Sequence, residues 1–101
     1  MTLQTVIFEV GMFSDTTFGT KRPYTAPLHH LKKEVDECIE SGSLEEFADC
    51  LLLLMDAYRK RFNGKNMHDS DLIEACLKKL EVCKKRDWGK PDENGVIEHL
   101  R

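Results

Sequence analysis

The segment spanning residues 44–62 constrains the fold most, because its centre is apolar on every side. Residues 50–55 read Cys-Leu-Leu-Leu-Leu-Met, a run that no single helical stripe can bury. This run is far too short to cross a bilayer, which takes about 20 apolar residues. The segment is therefore predicted to be a helix that is buried, or sandwiched between its own bundle and a partner.

Helix-breaking residues are few in the remaining chain. They divide it into segments whose apolar residues recur at helical spacing. The predicted helices cover residues 3–13, 26–40, 44–62 and 69–87, and residues 14–25 are predicted to form a loop. The first segment is rich in β-branched residues, but a lone strand would lack a partner, so a helix is favoured. The polar tail from residue 89 carries a turn signal at Asn94-Gly95 and has room for a short closing helix.

The predicted fold class is all-α: an antiparallel bundle of about four helices in a single domain over residues 1–101, completed by oligomerisation. Short connections between helices of this length favour antiparallel neighbours. A chain of 101 residues has a thin core, since it buries only roughly 60–70% of the surface that its unfolded form exposes. A second subunit is the natural cover for apolar faces that remain.

The net charge and the cysteines indicate which kinds of partner the protein can bind and where in the cell it is expected. The net charge is −3, so no broad basic field favours nucleic acid or an anionic membrane. The N-terminus lacks the basic start and long apolar stretch of a signal peptide. The four cysteines form no Cys-x-x-Cys pair and are interpreted as reduced thiols of a cytoplasmic protein. A zinc site that joins Cys76 or Cys83 to His29 or His30 would have poor ligand spacing.

Two acidic pairs at i, i+3 spacing lie on consecutive predicted helices: Glu34 with Glu37, and Glu46 with Asp49. Facing antiparallel helices would bring the four carboxylates around one point, and hard oxygen ligands suit Mg²⁺ or Mn²⁺. His30 lies on the same flank of its helix as the first pair. Such pairs are also common as plain surface charge on solvated helices. Asp49 favours the metal hypothesis, because a carboxylate beside an all-round apolar segment is costly without compensation.

The fourth predicted helix ends in a basic cluster. Lys79 and Arg86 lie along one flank as candidates for binding phosphate oxygens, although basic residues near a helix C-terminus also favour the helix dipole. Trp88 is the only tryptophan, and it is a candidate for stacking on a base or for sealing the end of the bundle. Asp56 ends the apolar run one heptad after Asp49. Acids that hold a metal, together with bases that hold phosphate, suit a nucleoside triphosphate site.

The order and spacing of these motifs resemble the MazG-like all-α nucleotide pyrophosphohydrolases. Glu34-Val-Asp-Glu37 and Glu46-Phe-Ala-Asp49 look like the ExxE…ExxD signature of that superfamily. The short phage and prophage branch called dATP/dGTP diphosphohydrolase is similar over nearly the whole chain. Further segments that match it are Thr17-Phe-Gly19, Arg22-Pro23, His30-Leu-Lys-Lys-Glu34, Met55-Asp56-Ala57, Lys85-Arg-Asp-Trp88 and Gly95-Val-Ile-Glu-His-Leu-Arg101.

The resemblance implies a Mg²⁺-dependent enzyme, with Mn²⁺ as a substitute, that cleaves nucleoside triphosphates between the α- and β-phosphates. The products are a nucleoside monophosphate and pyrophosphate; purine deoxynucleotides of the dATP/dGTP type are the expected substrates, and a homodimer or homotetramer is the expected assembly. The implied metal ligands are Glu34, Glu37, Glu46 and Asp49, with Glu37 or Glu46 as the catalytic carboxylate that orients or deprotonates water. The expected phosphate- or nucleotide-binding residues are Lys79, Arg86, His30, Asp56 and Trp88.

Two positions depart from the family pattern. Cys83 stands where the family often has Asn, and Gly89 stands where Pro is usual. A thiol is only a weak donor, so Cys83 cannot replace an amide that donates to phosphate or sugar. The alternative hypothesis is a non-catalytic helical module that keeps the fold and binds a partner through its apolar helix. Such a module would show no metal-dependent stabilisation.

Overall fold

The computed structural model describes residues 2–62 and 69–100. Within these residues the chain forms four α-helices: α1 (Leu3–Phe18), α2 (Thr25–Ser41), α3 (Leu44–Phe62) and α4 (Asp69–Lys84). The predicted all-α class is confirmed. The chain divides into two compact units, Met1–Asp69 and Ser70–Arg101. None of the described helices combines the length and the apolar character that a bilayer span requires.

The first helix is longer than the sequence predicts. A helix over residues 3–13 is right in kind, but α1 continues through Phe18, so the predicted loop over residues 14–25 is wrong in its first part. Ser14 and Asp15 are weak helix formers, yet both bond to side chains of α3, and these tertiary contacts override local propensity. Gly19 then ends the helix with a φ of 86°, and its N–H donates to the Asp15 carbonyl at 3.1 Å.

A tight turn joins α2 to α3 and sets the two helices side by side. Gly42 adopts the left-handed conformation, with φ 61°, and its N–H donates to the Cys38 carbonyl at 2.8 Å. The Ser43 hydroxyl accepts the Glu46 N–H at 3.3 Å, which is one half of a capping box between Ser43 and Glu46. The other half is absent between these two residues, since the Ser43 N–H donates to the Ser41 hydroxyl instead. The Glu46 carboxylate is therefore not used for capping.

The third helix is the centre of the first unit, because it packs against both α1 and α2. Ile7 from α1 and Met55 and Ala57 from α3 are at most 3% exposed and form the core. The apolar run of α3 is only partly covered within one chain. Its half-exposed members are Leu51, Leu52 and Leu54.

The second unit consists of α4 and a folded tail. The helix ends at Lys84, short of the predicted end near Asp87. The short closing helix for which the tail has room is absent from the described tail. Instead, Trp88 and His99 form a β-bridge, and the Gly89 N–H donates to the Glu98 carbonyl at 2.9 Å. Gly95 closes the turn between them with a φ of 81°, as the predicted turn signal indicates.

Candidate functional site

Three of the four predicted metal ligands converge in the first unit. Glu34 from α2 and Glu46 and Asp49 from α3 each place one carboxylate oxygen within 4.8 Å of the others. The i, i+3 spacing on α3 and the antiparallel neighbour α2 produce this convergence, as the sequence predicts. We call these three residues the carboxylate cluster.

Two oxygens of the carboxylate cluster are buried without a hydrogen-bond partner in the described part of the chain. They are Glu34 Oε2 and Glu46 Oε2. The other oxygen of Glu34 lies 3.2 Å from His30 Nε2. A buried acceptor without a partner is costly, and for a charged group the cost is larger. Ligation of a cation by these oxygens would remove that cost.

The pKa values of Glu34 and Glu46, two members of the carboxylate cluster, are raised above the ordinary value. A hydrogen bond with Glu37 raises the pKa of Glu34 most, followed by burial and by the negative charges of Glu37 and Asp49, while the His30 hydrogen bond opposes the shift. Burial is the main cause that raises the pKa of Glu46, and neighbouring carboxylates add to it. In both residues, burial and neighbouring carboxylates disfavour the charged form.

Glu37, the fourth predicted ligand, lies beside the carboxylate cluster. It is exposed on α2 and raises the pKa of Glu34, but it is not one of the three residues whose oxygens lie within 4.8 Å of one another. Its role as a ligand or as a catalytic carboxylate stays a prediction.

A cavity of about 440 Å³ adjoins the carboxylate cluster and is lined by residues of α1, α2 and α3. Glu34, Asp49 and His30 line it together with Ser14 and Asp56. Its volume falls within the range of small-molecule sites, which are mostly apolar with a few placed polar groups. The apolar lining residues are Val6, Val10, Phe13, Phe18, Leu52 and Leu53.

Asp56 lies in this cavity within a network of its own. It is 5% exposed; its Oδ2 accepts the Ser14 hydroxyl at 2.9 Å, and its Oδ1 accepts Arg59 Nη2 at 2.7 Å. Arg22 Nη2 lies 3.7 Å from Oδ2, and Arg59 also pairs with Asp15 at 3.1 Å. The sequence predicts nucleotide binding for Asp56, which remains untested, and gives no sign of Ser14, whose partner lies 42 residues away.

The remaining predicted nucleotide-binding residues belong to the second unit. Lys79 is exposed on α4. Arg86 Nη1 lies 3.5 Å from His99 Nδ1 in the turn that follows the helix. The Trp88 indole N–H donates to the Cys83 carbonyl at 2.9 Å, and its ring meets His99 edge-on. These contacts give Trp88 a structural role within its own unit, and binding of phosphate or nucleotide by these residues stays a prediction.

The helices and the carboxylate cluster together define an all-α protein with a candidate site for a divalent cation. A family model described as dATP/dGTP pyrophosphohydrolase matches residues 6–101. The chain therefore belongs to the dATP/dGTP pyrophosphohydrolase family, in agreement with the resemblance found in its motifs. Comparison with curated proteins and with solved structures finds no match.

Proposed function

We propose that the protein hydrolyses purine deoxynucleoside triphosphates of the dATP/dGTP type between the α- and β-phosphates, in a Mg²⁺-dependent reaction. The products are a deoxynucleoside monophosphate and pyrophosphate. The observation that carries the proposal is the convergence of Glu34, Glu46 and Asp49, with two buried oxygens that have no described partner. Membership of a pyrophosphohydrolase family supports the reaction class.

The residues of the carboxylate cluster are suited to hold the cation through hard oxygen ligands. A bound Mg²⁺, or Mn²⁺ in its place, would lower the pKa of a ligated water and offset charge on the triphosphate. We assign Glu37 to orient the attacking water and accept its proton, because Glu37 lies next to Glu34 but outside the set of three. Glu46 then serves as a ligand, with the proton-accepting role as its alternative.

The 440 Å³ cavity is the proposed site of the nucleoside. It shares Glu34 and Asp49 with the carboxylate cluster, so a triphosphate held there can place its sugar and base between α1 and α3. The exposed rings of Phe13 and Phe18, which meet edge-on with centroids 5.7 Å apart, offer apolar surface for a base. His30 is placed to contact the nucleotide from α2. Lys79, Arg86 and Trp88 are retained as candidate phosphate or nucleotide contacts.

Pyrophosphate release from a panel of dATP, dGTP, dCTP and dTTP, with Mg²⁺ and with chelator, tests the reaction. Glu46→Gln and Asp49→Asn should each lower the rate about 100-fold or more, since changes around a metal site cost at least 10–100-fold. Glu45→Gln is the matched control, because Glu45 is the exposed neighbour of Glu46 on the same helix. Absence of metal-dependent release from every nucleotide would refute the proposed reaction.

We also propose that a second copy of the chain covers apolar surface near the α2–α3 turn, as dimer or tetramer. Ile39, Leu44 and Phe47 are 78%, 82% and 60% exposed there, which is unusual for residues of this type in an isolated chain. Sedimentation equilibrium at micromolar concentration should report an oligomer that Leu44→Asp weakens, and a monomeric wild-type protein would contradict the idea.

All four cysteines are free, which supports a reducing location such as the cytoplasm.

A further inference from the structure

Ser14 and Asp56 are the two buried polar residues among the described residues, and both line the cavity. We propose that this pair, here called the acceptor pair, accepts hydrogen bonds from N–H groups on the edge of the purine base. This interaction makes the enzyme prefer guanine to adenine. The proposal rests on the proposed function, since it names the base preference of the same site.

The hydrogen-bond geometry of the pair leaves only acceptors for a ligand. Ser14 is 2% exposed, and its hydroxyl donates its single hydrogen to Asp56 Oδ2 at 2.9 Å. A serine oxygen has two lone pairs, so toward the cavity Ser14 can only accept. Asp56, ion-paired with Arg59 at 2.7 Å, is likewise acceptor-only as a carboxylate.

The pair also keeps acceptor capacity after its internal bonds are counted. Each carboxylate oxygen offers about two lone-pair sites; Asp56 Oδ1 accepts one bond from Arg59, and Oδ2 accepts one from Ser14. Neither lone pair of the Ser14 oxygen is used by its bond to Asp56. Two neighbouring donors on one ligand edge can therefore bond here without breaking the contacts that hold α1 to α3.

The distance from the carboxylate cluster suits a nucleotide. Asp49 and Asp56 are seven residues apart on α3, which is ~10 Å along the helix axis and nearly the same helical face. This length is comparable with the distance from the α-phosphate of a nucleotide to the far edge of its base. A nucleotide with its phosphates at the carboxylate cluster thus directs its base edge at the acceptor pair.

Guanine and adenine differ at that edge in the groups that the pair can bind. Guanine presents the N1–H and the 2-amino group side by side, which are two donors. Adenine presents one amino group beside N1, an acceptor that would face another acceptor. A site that leaves polar groups unpaired with one ligand discriminates strongly against it. A well-placed pair of hydrogen bonds to a base edge is worth roughly 10- to 100-fold in discrimination.

The test compares kcat/KM for dGTP, dITP and dATP, since dITP keeps the N1–H and lacks the 2-amino group. We expect the order dGTP, dITP, dATP, and a dGTP/dATP ratio that falls about 10-fold in Ser14→Ala. Thr16→Ala is the matched control, because Thr16 is exposed on the same helix and should leave the ratio unchanged. Asp56→Asn, which adds a donor, should lower the ratio as well and serves if Ser14→Ala does not fold.

Two results overturn the inference: equal kcat/KM for the three purines, or an unchanged dGTP/dATP ratio in both variants that fold. These results leave the proposed hydrolysis intact. If no nucleotide is hydrolysed, calorimetric titration with dGMP and dAMP decides instead. Selective binding of dGMP that Ser14→Ala abolishes supports the acceptor pair while the proposed reaction fails, and equal or absent binding overturns both.

Discussion

Replacing Glu46 by Gln should stabilise the metal-free protein and abolish its response to Mg²⁺. In the metal-free state the Glu46 carboxylate is partly buried beside Glu34 and Asp49, and one of its oxygens has no described partner. Gln removes one negative charge from this cluster, so repulsion among the remaining carboxylates falls. The same change removes a metal ligand. The variant should therefore gain stability in the absence of metal and lose the stabilisation that metal gives to the wild type.

The metal effect is large enough to measure by thermal unfolding. A cation that binds only the folded state at about 100 times its dissociation constant stabilises it by about 2.7 kcal/mol. For a chain of 101 residues, each 1 kcal/mol shifts Tm by roughly 4–8 °C. Saturating Mg²⁺ should therefore raise the Tm of the wild type by roughly 10–20 °C and leave that of Glu46→Gln almost unchanged.

The pH dependence of the stability of the metal-free protein provides a second measure of the negative charge in the carboxylate cluster. The folded-state pKa values of Glu34 and Glu46 are raised above the ordinary 4.5. At a pH between the ordinary value and the raised value, the folded state therefore binds more protons than the unfolded state. Stability then falls as pH rises through this window, and the loss is complete above the raised pKa. Glu46→Gln removes one titrating group, so its stability should fall less steeply over the same pH range.

Differential scanning calorimetry with EDTA and with Mg²⁺, on wild type, Glu46→Gln and the control Glu45→Gln, measures both effects. Glu45 is exposed beside Glu46, so its variant should keep the wild-type metal response. The reasoning fails if Glu46→Gln retains the full Mg²⁺-dependent rise in Tm, or if it is less stable than the wild type without metal at neutral pH.

Three further predictions concern the first unit. Gly11→Ala places a Cβ 2.7 Å from Arg59 Cδ, so despite the better helix propensity of Ala it should destabilise by about 1–3 kcal/mol, measured by urea unfolding; equal or higher stability would contradict this packing. Arg59→Met removes the strongest partner of buried Asp56 and should cost about 3–5 kcal/mol, whereas Lys84→Met at an exposed pair should cost at most about 1 kcal/mol; similar losses would argue against a buried network. Burial, with a neighbouring thiol and carboxylates, raises the pKa of Cys50, so its alkylation followed by peptide mass spectrometry should need a pH above that of an ordinary thiol, and a midpoint at or below the ordinary value would be inconsistent with this environment.

The features that the sequence predicts correctly depend on local geometry. The bounds of α3 follow from the Ser43 cap and the apolar period, and both are encoded within a few residues. The carboxylate cluster is predictable because i, i+3 spacing places two carboxylates on one helix flank, and the short turn at Gly42 brings α2 alongside. The spacing of residues along one helix and the packing of the next helix in the chain were sufficient to predict this part of the site.

The features that the sequence does not predict depend on contacts between distant residues. The extension of α1 through Phe18 depends on bonds from Ser14 and Asp15 to α3, and nothing near these residues in the sequence signals them. Gly11 lowers helix propensity, and Arg59, which is distant in the sequence, occupies the space that a Cβ at this position would fill. The acceptor pair was missed for the same reason, since a lone Ser on a helix has no pattern that marks a binding residue.

The contrast between Asp56 and Asp49 bears on the proposal that the carboxylate cluster binds a cation. Both residues lie on nearly the same face of α3, two turns apart, so their backbone positions are similar. The protein neutralises Asp56 itself, with Arg59 at 2.7 Å and Arg22 at 3.7 Å. Within the described ranges, no Lys or Arg side chain forms an ion pair with Asp49 or its partners in the cluster, although α2 and α3 press three carboxylates together there. The side chains of the described residues thus neutralise Asp56 but not the carboxylate cluster, which is the charge pattern expected if the cluster binds a cation from solution.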